Sequence, residues 1–288
     1  MNQLLFGVNL GTSTAPGDDP VRLAQVAESV GFDFVSASDH PYGESPSFET
    51  ATLLTWILAR TERIRVLSRV FGLPLRNQAM LAKTAESMQR LSGGRLILGH
   101  GSGGSDDEFR SIGIPPATPG ERLDALEEGL MLMRKLWDGG PVTFAGRHHR
   151  LVAAQLQPTP QCPIPIWLGT FGPRALELTG RLADGWLPSL GYRPTSELPQ
   201  MLQRVRDSAA AVGRDPDALT YALNTELEIG SCPDEDRVAG SPRQIVDQLN
   251  GFIVAGFTAF NFVVRTNPAA DAIRQIEAEI VAPLRAGP

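Results

Sequence analysis

The sequence predicts a single-domain (β/α)8 TIM barrel over residues 1–288, and three observations predict it. Short β-branched or aromatic runs alternate with longer amphipathic segments from one end of the chain to the other, the pattern of parallel βα units. Eight such runs fit this length, and no Pro/Gly/Ser linker or block of charge marks a domain boundary. The hydrophobic fraction, 42%, suffices for a core of that size.

The strand-like runs are residues 4–10, 32–37, 64–71, 95–100, 165–169, 184–188, 219–228 and 257–264. Between them the apolar residues take helical spacing, as in Leu23, Val26, Ala27 and Val30, or Leu123, Leu126, Leu130, Met133 and Leu136. Helix starts are marked at Thr118-Pro119-Gly120-Glu121 and Ser241-Pro242-Arg243-Gln244, each with a capping hydroxyl, proline at the first helical position and Glu or Gln at the third. Residues 141–151, PVTFAGRHHRL, read as a small β excursion on the barrel rim, with His148 and His149 as solvated loop residues.

Composition narrows the function classes. The formal charge of -6 argues against nucleic acid as a general partner. No long apolar run or signal-peptide pattern appears, so a soluble, cytoplasmic protein is expected, with no membrane partner. Cys162 and Cys232 match no metal or redox spacing, and no metal site is expected.

In such barrels the chemistry sits at the carboxyl ends of the strands. Those ends offer Asn9 and Gly11, then Ser38-Asp39-His40, then Gly72-Leu73-Pro74, then a glycine-dense loop, then Gly169 to Arg174, then Pro188-Ser189. The glycine loop lies in SGGRLILGHGSGGSDDEFRSIGIPP, residues 92–116. Its bare backbone could cradle a phosphate, or its glycines could only make a tight turn. Gly99, Gly101 and Gly104 satisfy G-x-G-x-x-G, but the acids that follow, Glu121 and Asp124, fall in a helix rather than at a strand end. The loop at Gly172-Pro173-Arg174 is a second anion candidate.

Asp39-His40 is the sharpest polar pair, because histidine exchanges protons near neutrality and a neighbouring carboxylate can hold it in place. His100 could point into the barrel mouth. Lys83 and Lys135, the only lysines, fall in helices, which disfavours Schiff-base chemistry. The first strand lacks the paired histidines of a metal-dependent amidohydrolase. No motif ties Asp39 to Glu226 or Glu228 as a glycosidase pair.

Four segments in order, SASDH at 36–40, RVFGLPLRNQAMLAKTAESMQRLSGGRLILGHGSG at 69–103, EFRSIGIP at 108–115 and PIPIWLGTFGPRALELTGRLADGW at 163–186, give the chain a wider likeness. It resembles the luciferase-like monooxygenase superfamily, and within it the deazaflavin (coenzyme F420)-dependent oxidoreductases of actinobacteria. The resemblance implies a barrel with the cofactor lying across the strand carboxyl ends. It implies that Asp39 and His40 flank the reactive edge of the ring and that Arg69 and Val70 form a bulge with a non-proline cis peptide behind it. Gly101, Ser102 and Gly103 would line the cofactor tail, and Thr170, Phe171, Gly172 and Pro173 would hold its phosphate.

Two departures stand out. The sugar-phosphate dehydrogenases of the family carry a glutamate where this chain has Gly104, which disfavours sugar-phosphate oxidation. Phe171 replaces a glycine often found in the phosphate loop. The reading that results is hydride transfer between F420 and a small substrate, with His40 as the proton-handling group and Asp39 orienting it or touching the ring. Asn9, Phe71 and Trp186 are expected to line the substrate pocket, and the apolar candidates Phe71, Leu73, Phe171, Trp186 and Leu187 suggest a hydrophobic or aromatic substrate. An FMN-dependent monooxygenase that uses oxygen and a partner reductase is the alternative, and a non-catalytic flavin-binding protein is a second. Relatives commonly form homodimers through the helices after the second and third strands.

Overall fold

The computed structural model describes residues 4–232, 234–265 and 269–287. In chain order it contains β1 (Leu5–Leu10), α1 (Pro20–Val30), β2 (Phe34–Ala37), α2 (Thr50–Arg60), β3 (Arg65–Ser68), β4 (Phe71–Gly72), α3 (Gln78–Ser92) and β5 (Leu96–Gly101). Next come α4 (Asp106–Ser111), α5 (Pro119–Asp138), β6 (Pro141–Ala145), β7 (Arg150–Gln155), β8 (Ile166–Leu168), α6 (Pro173–Leu182) and β9 (Gly185–Trp186). The chain finishes with α7 (Leu198–Ala211), β10 (Thr220–Ile229), β11 (Arg237–Gly240), α8 (Pro242–Val254), β12 (Ala259–Val263), α9 (Ala269–Ile276), a π turn at Glu277–Val281 and α10 (Ala282–Ala286).

Eight parallel strands close on themselves in the order β1, β2, β3, β5, β8, β9, β10, β12, with β12 back beside β1. Each of the eight expected runs contributes one of them. Closure leaves no free edge among the eight, which removes the aggregation hazard of an open sheet. The third run is interrupted after Ser68 and resumes as β4, and the peptide between Arg69 and Val70 is cis. The rim excursion is an antiparallel hairpin, β6 with β7, four residues longer than the sequence suggests. Sequence reading misses β11, a four-residue strand added beside β10, because its run is too short to stand out.

Strand alternation sorts the side chains into two layers. Outward positions such as Phe6, Val8, Val66, Leu98 and Phe260 pack under the helices in the main core. Inward positions Phe34, Leu67, Ile97, Trp167, Leu187, Ala222 and Ala259 plug the barrel interior. Phe34 and Trp167 meet edge to face there, with centroids 5.7 Å apart. The helix starts follow their capping chemistry, since both Thr118 with Glu121 and Ser241 with Gln244 make the complete reciprocal box.

His148 and His149 are half-buried rather than solvated. Glu128 of α5 accepts hydrogen bonds from the backbone N–H groups of Arg147, His148 and His149 at 2.8 to 3.0 Å, and this draws the hairpin tip down onto the helix.

The glycines of β5 serve strand packing. A Cβ at Gly99 would lie 1.7 Å from the Ser68 carbonyl oxygen, and one at Gly101 would lie 2.7 Å from Val70 Cγ2. Gly104 has open space instead. Gly99→Ala is therefore expected to destabilise the protein by roughly 3 kcal/mol, and Gly104→Ala by less than about 0.5 kcal/mol, read from denaturant midpoints. Equal midpoints for the two variants would contradict the packing described.

Candidate active site

At the end of β2, three consecutive residues separate in direction. Ser38 continues the inward face, Asp39 turns outward into the protein, and His40 stands exposed. The Asp39 carboxylate has no exposed side-chain surface and is fully engaged. Arg76 Nη1 donates to its Oδ2 at 2.5 Å, Arg76 Nη2 to its Oδ1 at 2.9 Å, and the Gly72 N–H to its Oδ2 at 2.9 Å. Arg76 also donates to Glu49 Oε1 at 2.5 Å and lies 4.3 Å over the Phe71 ring. Burial works against the Arg76 charge, but the two carboxylates outweigh it and hold its pKa above the ordinary arginine value.

His40 is therefore not oriented by Asp39. Its Nδ1 lies 2.9 Å from Oε2 of Glu108, the third residue of α4, whose side chain is 6% exposed against 68% for the imidazole. The other oxygen of Glu108 accepts from the Tyr42 N–H at 3.2 Å. A carboxylate so placed fixes the proton of the neutral imidazole on Nδ1 and leaves Nε2 as the outward acceptor. Sequence reasoning missed both Glu108 and Arg76. Both lie in segments that carry the family likeness, but nothing local singles them out, since each meets its partner only through the fold.

Below His40 a row of polar side chains crosses the barrel above the apolar plug. Arg69 Nε donates to Asn9 Oδ1 at 2.8 Å, and Ser36 Oγ lies 3.0 Å from that oxygen and 2.9 Å from Asn261 Oδ1. Asn261 reaches Asn224 at 2.7 Å, and Asn224 reaches Ser189 at 2.9 Å. One hydroxyl proton cannot serve two oxygens. Every group is satisfied when the Asn261 and Asn224 amides are turned so that donation runs from Ser189 through Asn224, Asn261 and Ser36 to Asn9.

Around this floor the other expected residues take varied positions. Val70 is half-buried between Gly101 and Gly169, and Ser102 and Gly103 are half-buried on the loop after β5. The Thr170 hydroxyl is turned away onto Thr179 Oγ1 at 2.7 Å, and its carbonyl accepts from Trp186 Nε1 at 2.9 Å. Gly172 precedes α6 with Pro173 at the first turn and no side-chain cap, and a Cβ on Gly172 would meet nothing within 4 Å. Arg174 is tied to Asp124 at 2.8 Å. Phe171 stacks on Tyr192, centroids 5.1 Å apart, as an aromatic wall.

Several expected pocket residues belong elsewhere. Phe71 and Trp186 are fully buried in the outer layer, because their strand positions face the helices. Leu187 is part of the barrel plug. Asn9 alone of the three named pocket residues lies on the inner face, in the polar row. His100 also points outward, with Nδ1 2.8 Å from the Phe71 carbonyl and Nε2 2.9 Å from Gln78 Oε1. Two concavities, of about 430 Å³ beside Leu198 and Phe252 and about 600 Å³ beside Phe48 and Trp56, lie on the helical flank and reach none of Asp39, His40 or Arg69. Among the described residues no His/Cys/Asp/Glu group is arranged to hold a metal ion, and no helix is long and apolar enough to cross a membrane.

A (β/α)8 barrel with an imidazole–carboxylate pair and glycine-lined backbone at its carboxyl face has the build of a barrel enzyme. Residues 4–279 match the luciferase-like monooxygenase family, and the chain belongs to that family. An F420-dependent glucose-6-phosphate dehydrogenase of Nakamurella multipartita is 32% identical over 243 residues, which cover 83% of this chain and 71% of that protein. An F420-dependent secondary alcohol dehydrogenase in complex with an F420-acetone adduct superposes with a TM-score of 0.87 at 20% identity, over 97% of this chain and 99% of that one. The F420-dependent tetrahydromethanopterin reductase of Methanopyrus kandleri superposes with a TM-score of 0.82 at 20% identity, with the same coverage.

Two outcomes test the geometry. Replacing Arg76 by Met leaves the Asp39 carboxylate buried without its counter-charge, so Arg76→Met is expected to cost roughly 3 kcal/mol of stability in denaturant unfolding. Burial pushes the His100 pKa down from 6.5 to about 4, against a weaker upward pull from the Phe71 carbonyl. The unfolded chain then takes up this proton first as the pH falls. Stability is full above about pH 6.5 and is lost towards pH 4, by roughly 3 kcal/mol. His100→Asn should flatten that part of the pH profile, and an unchanged profile would contradict the assignment.

Proposed function

We propose that this chain is an oxidoreductase that uses coenzyme F420 to exchange a hydride with a small organic substrate at the barrel mouth. The observation that carries the reading is His40, held through Nδ1 by the buried Glu108 and presenting Nε2 outward at a strand end. The named activity of the N. multipartita relative and its identity over most of this chain support the same cofactor. The deazaflavin would supply the carbon that accepts or returns the hydride.

The residues present fit such a group. Arg69 and Val70 would back the ring through their main chain. The loop of Gly101, Ser102 and Gly103 would run along the tail. The uncapped start of α6 would receive its phosphate on the N–H groups of Gly172 and, past Pro173, of Arg174 and Ala175, beside Thr170 and Phe171. Asp39 would act by holding the β2 end in place through Arg76, since no face of its carboxylate is open.

For an alcohol substrate the balance is simple. The carbon loses its hydrogen with the bonding electron pair, a carbonyl forms, and the hydroxyl proton passes to His40 Nε2 while Glu108 stabilises the imidazolium through Nδ1. In the reverse direction the same nitrogen returns the proton. The apolar lining first expected for the substrate is reduced to Phe171 and Tyr192 at the mouth, above a polar floor. A homodimer through α2 and α3, a cytoplasmic location and an F420-reducing partner system belong to the same proposal.

F420 is expected to lose fluorescence on titration with the protein, with a weaker response from FMN. In His40→Ala, turnover on an alcohol found by screening should fall roughly 10²–10⁴-fold, with F420 affinity within about threefold of the parent. Glu108→Gln should fall in the same direction by less. Tighter binding of FMN than of F420 would favour the monooxygenase reading instead, and full activity in His40→Ala would remove the histidine from the mechanism.

A further inference from the structure

Arg69 differs from most arginines of this protein. Arg76, Arg90, Arg122, Arg134 and Arg285 each face a carboxylate within hydrogen-bond distance. Among the described residues Arg95 has no ion pair, but four bonds to Ser92, Thr61, Ile64 and Leu58 absorb its donors into the segments it ties together. Arg69 is half-buried at the end of β3, and among the described residues its side chain donates only to Asn9 Oδ1 at 2.8 Å and Ser38 Oγ at 2.5 Å. A guanidinium has five N–H donors, so three of its own remain without a partner among the described residues.

The surroundings do not neutralise it. Arg265 lies close enough to oppose its charge, and Arg265 is itself paired with Glu226. Burial lowers the Arg69 pKa, with Tyr192 acting the other way and Arg265 adding to the lowering. The polar row fixes the Nε side of the guanidinium and leaves Nη1 free. Beside it stands the stacked pair of Phe171 and Tyr192, both partly exposed.

We infer that the Arg69 side chain is the anchor for an anionic group of the substrate, and that the substrate class is an organic carboxylate whose apolar or aromatic body lies against Phe171 and Tyr192. The planar end of a guanidinium matches the two oxygens of a carboxylate, and a partly desolvated site strengthens that pairing. This rests on the reading of the barrel mouth as the substrate site, and it assigns the Arg69 side chain a role separate from that of its main chain behind the cofactor ring. It also places the anion on a residue next to the floor of the barrel rather than on the outer loops.

The test uses the protein without added cofactor, with benzoate as the probe and benzamide as its neutral counterpart, titrated by calorimetry at low salt. Benzoate is expected to bind at least about tenfold more tightly than benzamide. Arg69→Gln should abolish the preference and Arg69→Lys should keep part of it, with far-UV circular dichroism and melting confirming that both variants fold. A second measurement needs no variant: phenylglyoxal modification mapped by mass spectrometry should label Arg69, and benzoate should slow labelling there and not at Arg95. Equal affinity for the two probes, a preference that survives in Arg69→Gln, or labelling of Arg69 that benzoate does not slow would each overturn the inference. F420 quenching run in parallel separates the two proposals. Normal quenching with no benzoate preference removes the carboxylate anchor alone, whereas a benzoate preference without F420 binding supports the anchor and removes the cofactor.

Discussion

A carboxylate with no exposed surface must find a counter-charge, and at the end of β2 that requirement falls on Asp39. Arg76 meets it with two hydrogen bonds, and in doing so joins the end of β2 to the segment that follows β4. The same guanidinium reaches the start of α2 through Glu49 and covers the Phe71 ring. Three stretches of chain are thus fixed around one ion pair. Because Asp39 is drawn off the barrel axis into the protein, the next residue is exposed, and His40 emerges where Glu108 can take its Nδ1. The outward placing of His40 thus depends on an ion pair buried beside it.

The second constraint is the change of character along the inner face of the barrel. Phe34 is followed two residues on by Ser36, Leu67 by Arg69, Ala222 by Asn224 and Ala259 by Asn261. With a side-chain period of two, each strand runs from apolar plug to polar floor within one step. The plug keeps the barrel closed and dry below. The floor supplies fixed amide and hydroxyl groups, which hold Arg69 in one orientation without neutralising it.

That pattern explains what was legible in the sequence. All eight barrel strands and the two capping boxes follow from local alternation and local hydrogen bonds, so they could be read from short windows. The strand ends point to His40 and Asn9 for the same reason, whereas Arg69 enters only through the family resemblance. What failed was direction and partnership. Phe71 and Trp186 were expected in the pocket because they are large and near strand ends, but their parity places them beneath the helices. Asp39 was paired with its neighbour His40, whereas the structure pairs His40 with Glu108, 68 residues away. The glycines between residues 99 and 104 carry a phosphate signal in sequence, yet Gly99 and Gly101 lie within β5 and are small because β3 and the Arg69–Val70 segment run against them.

The grip of Glu128 on the rim hairpin has a different kind of consequence. All three of its hydrogen bonds go to main-chain N–H groups, those of Arg147, His148 and His149. A contact made only to the backbone is indifferent to the side chains displayed there, apart from proline, which has no N–H to offer. Arg147 can therefore be exchanged while the path over α5 stays the same, whereas His149, with Nε2 2.9 Å from the Ala125 carbonyl oxygen, and Gly146, where a Cβ would lie 2.2 Å from Glu128 Oε2, are tied to that path. Variation in surface character is open to this hairpin at Arg147 without any redesign of the barrel that carries it.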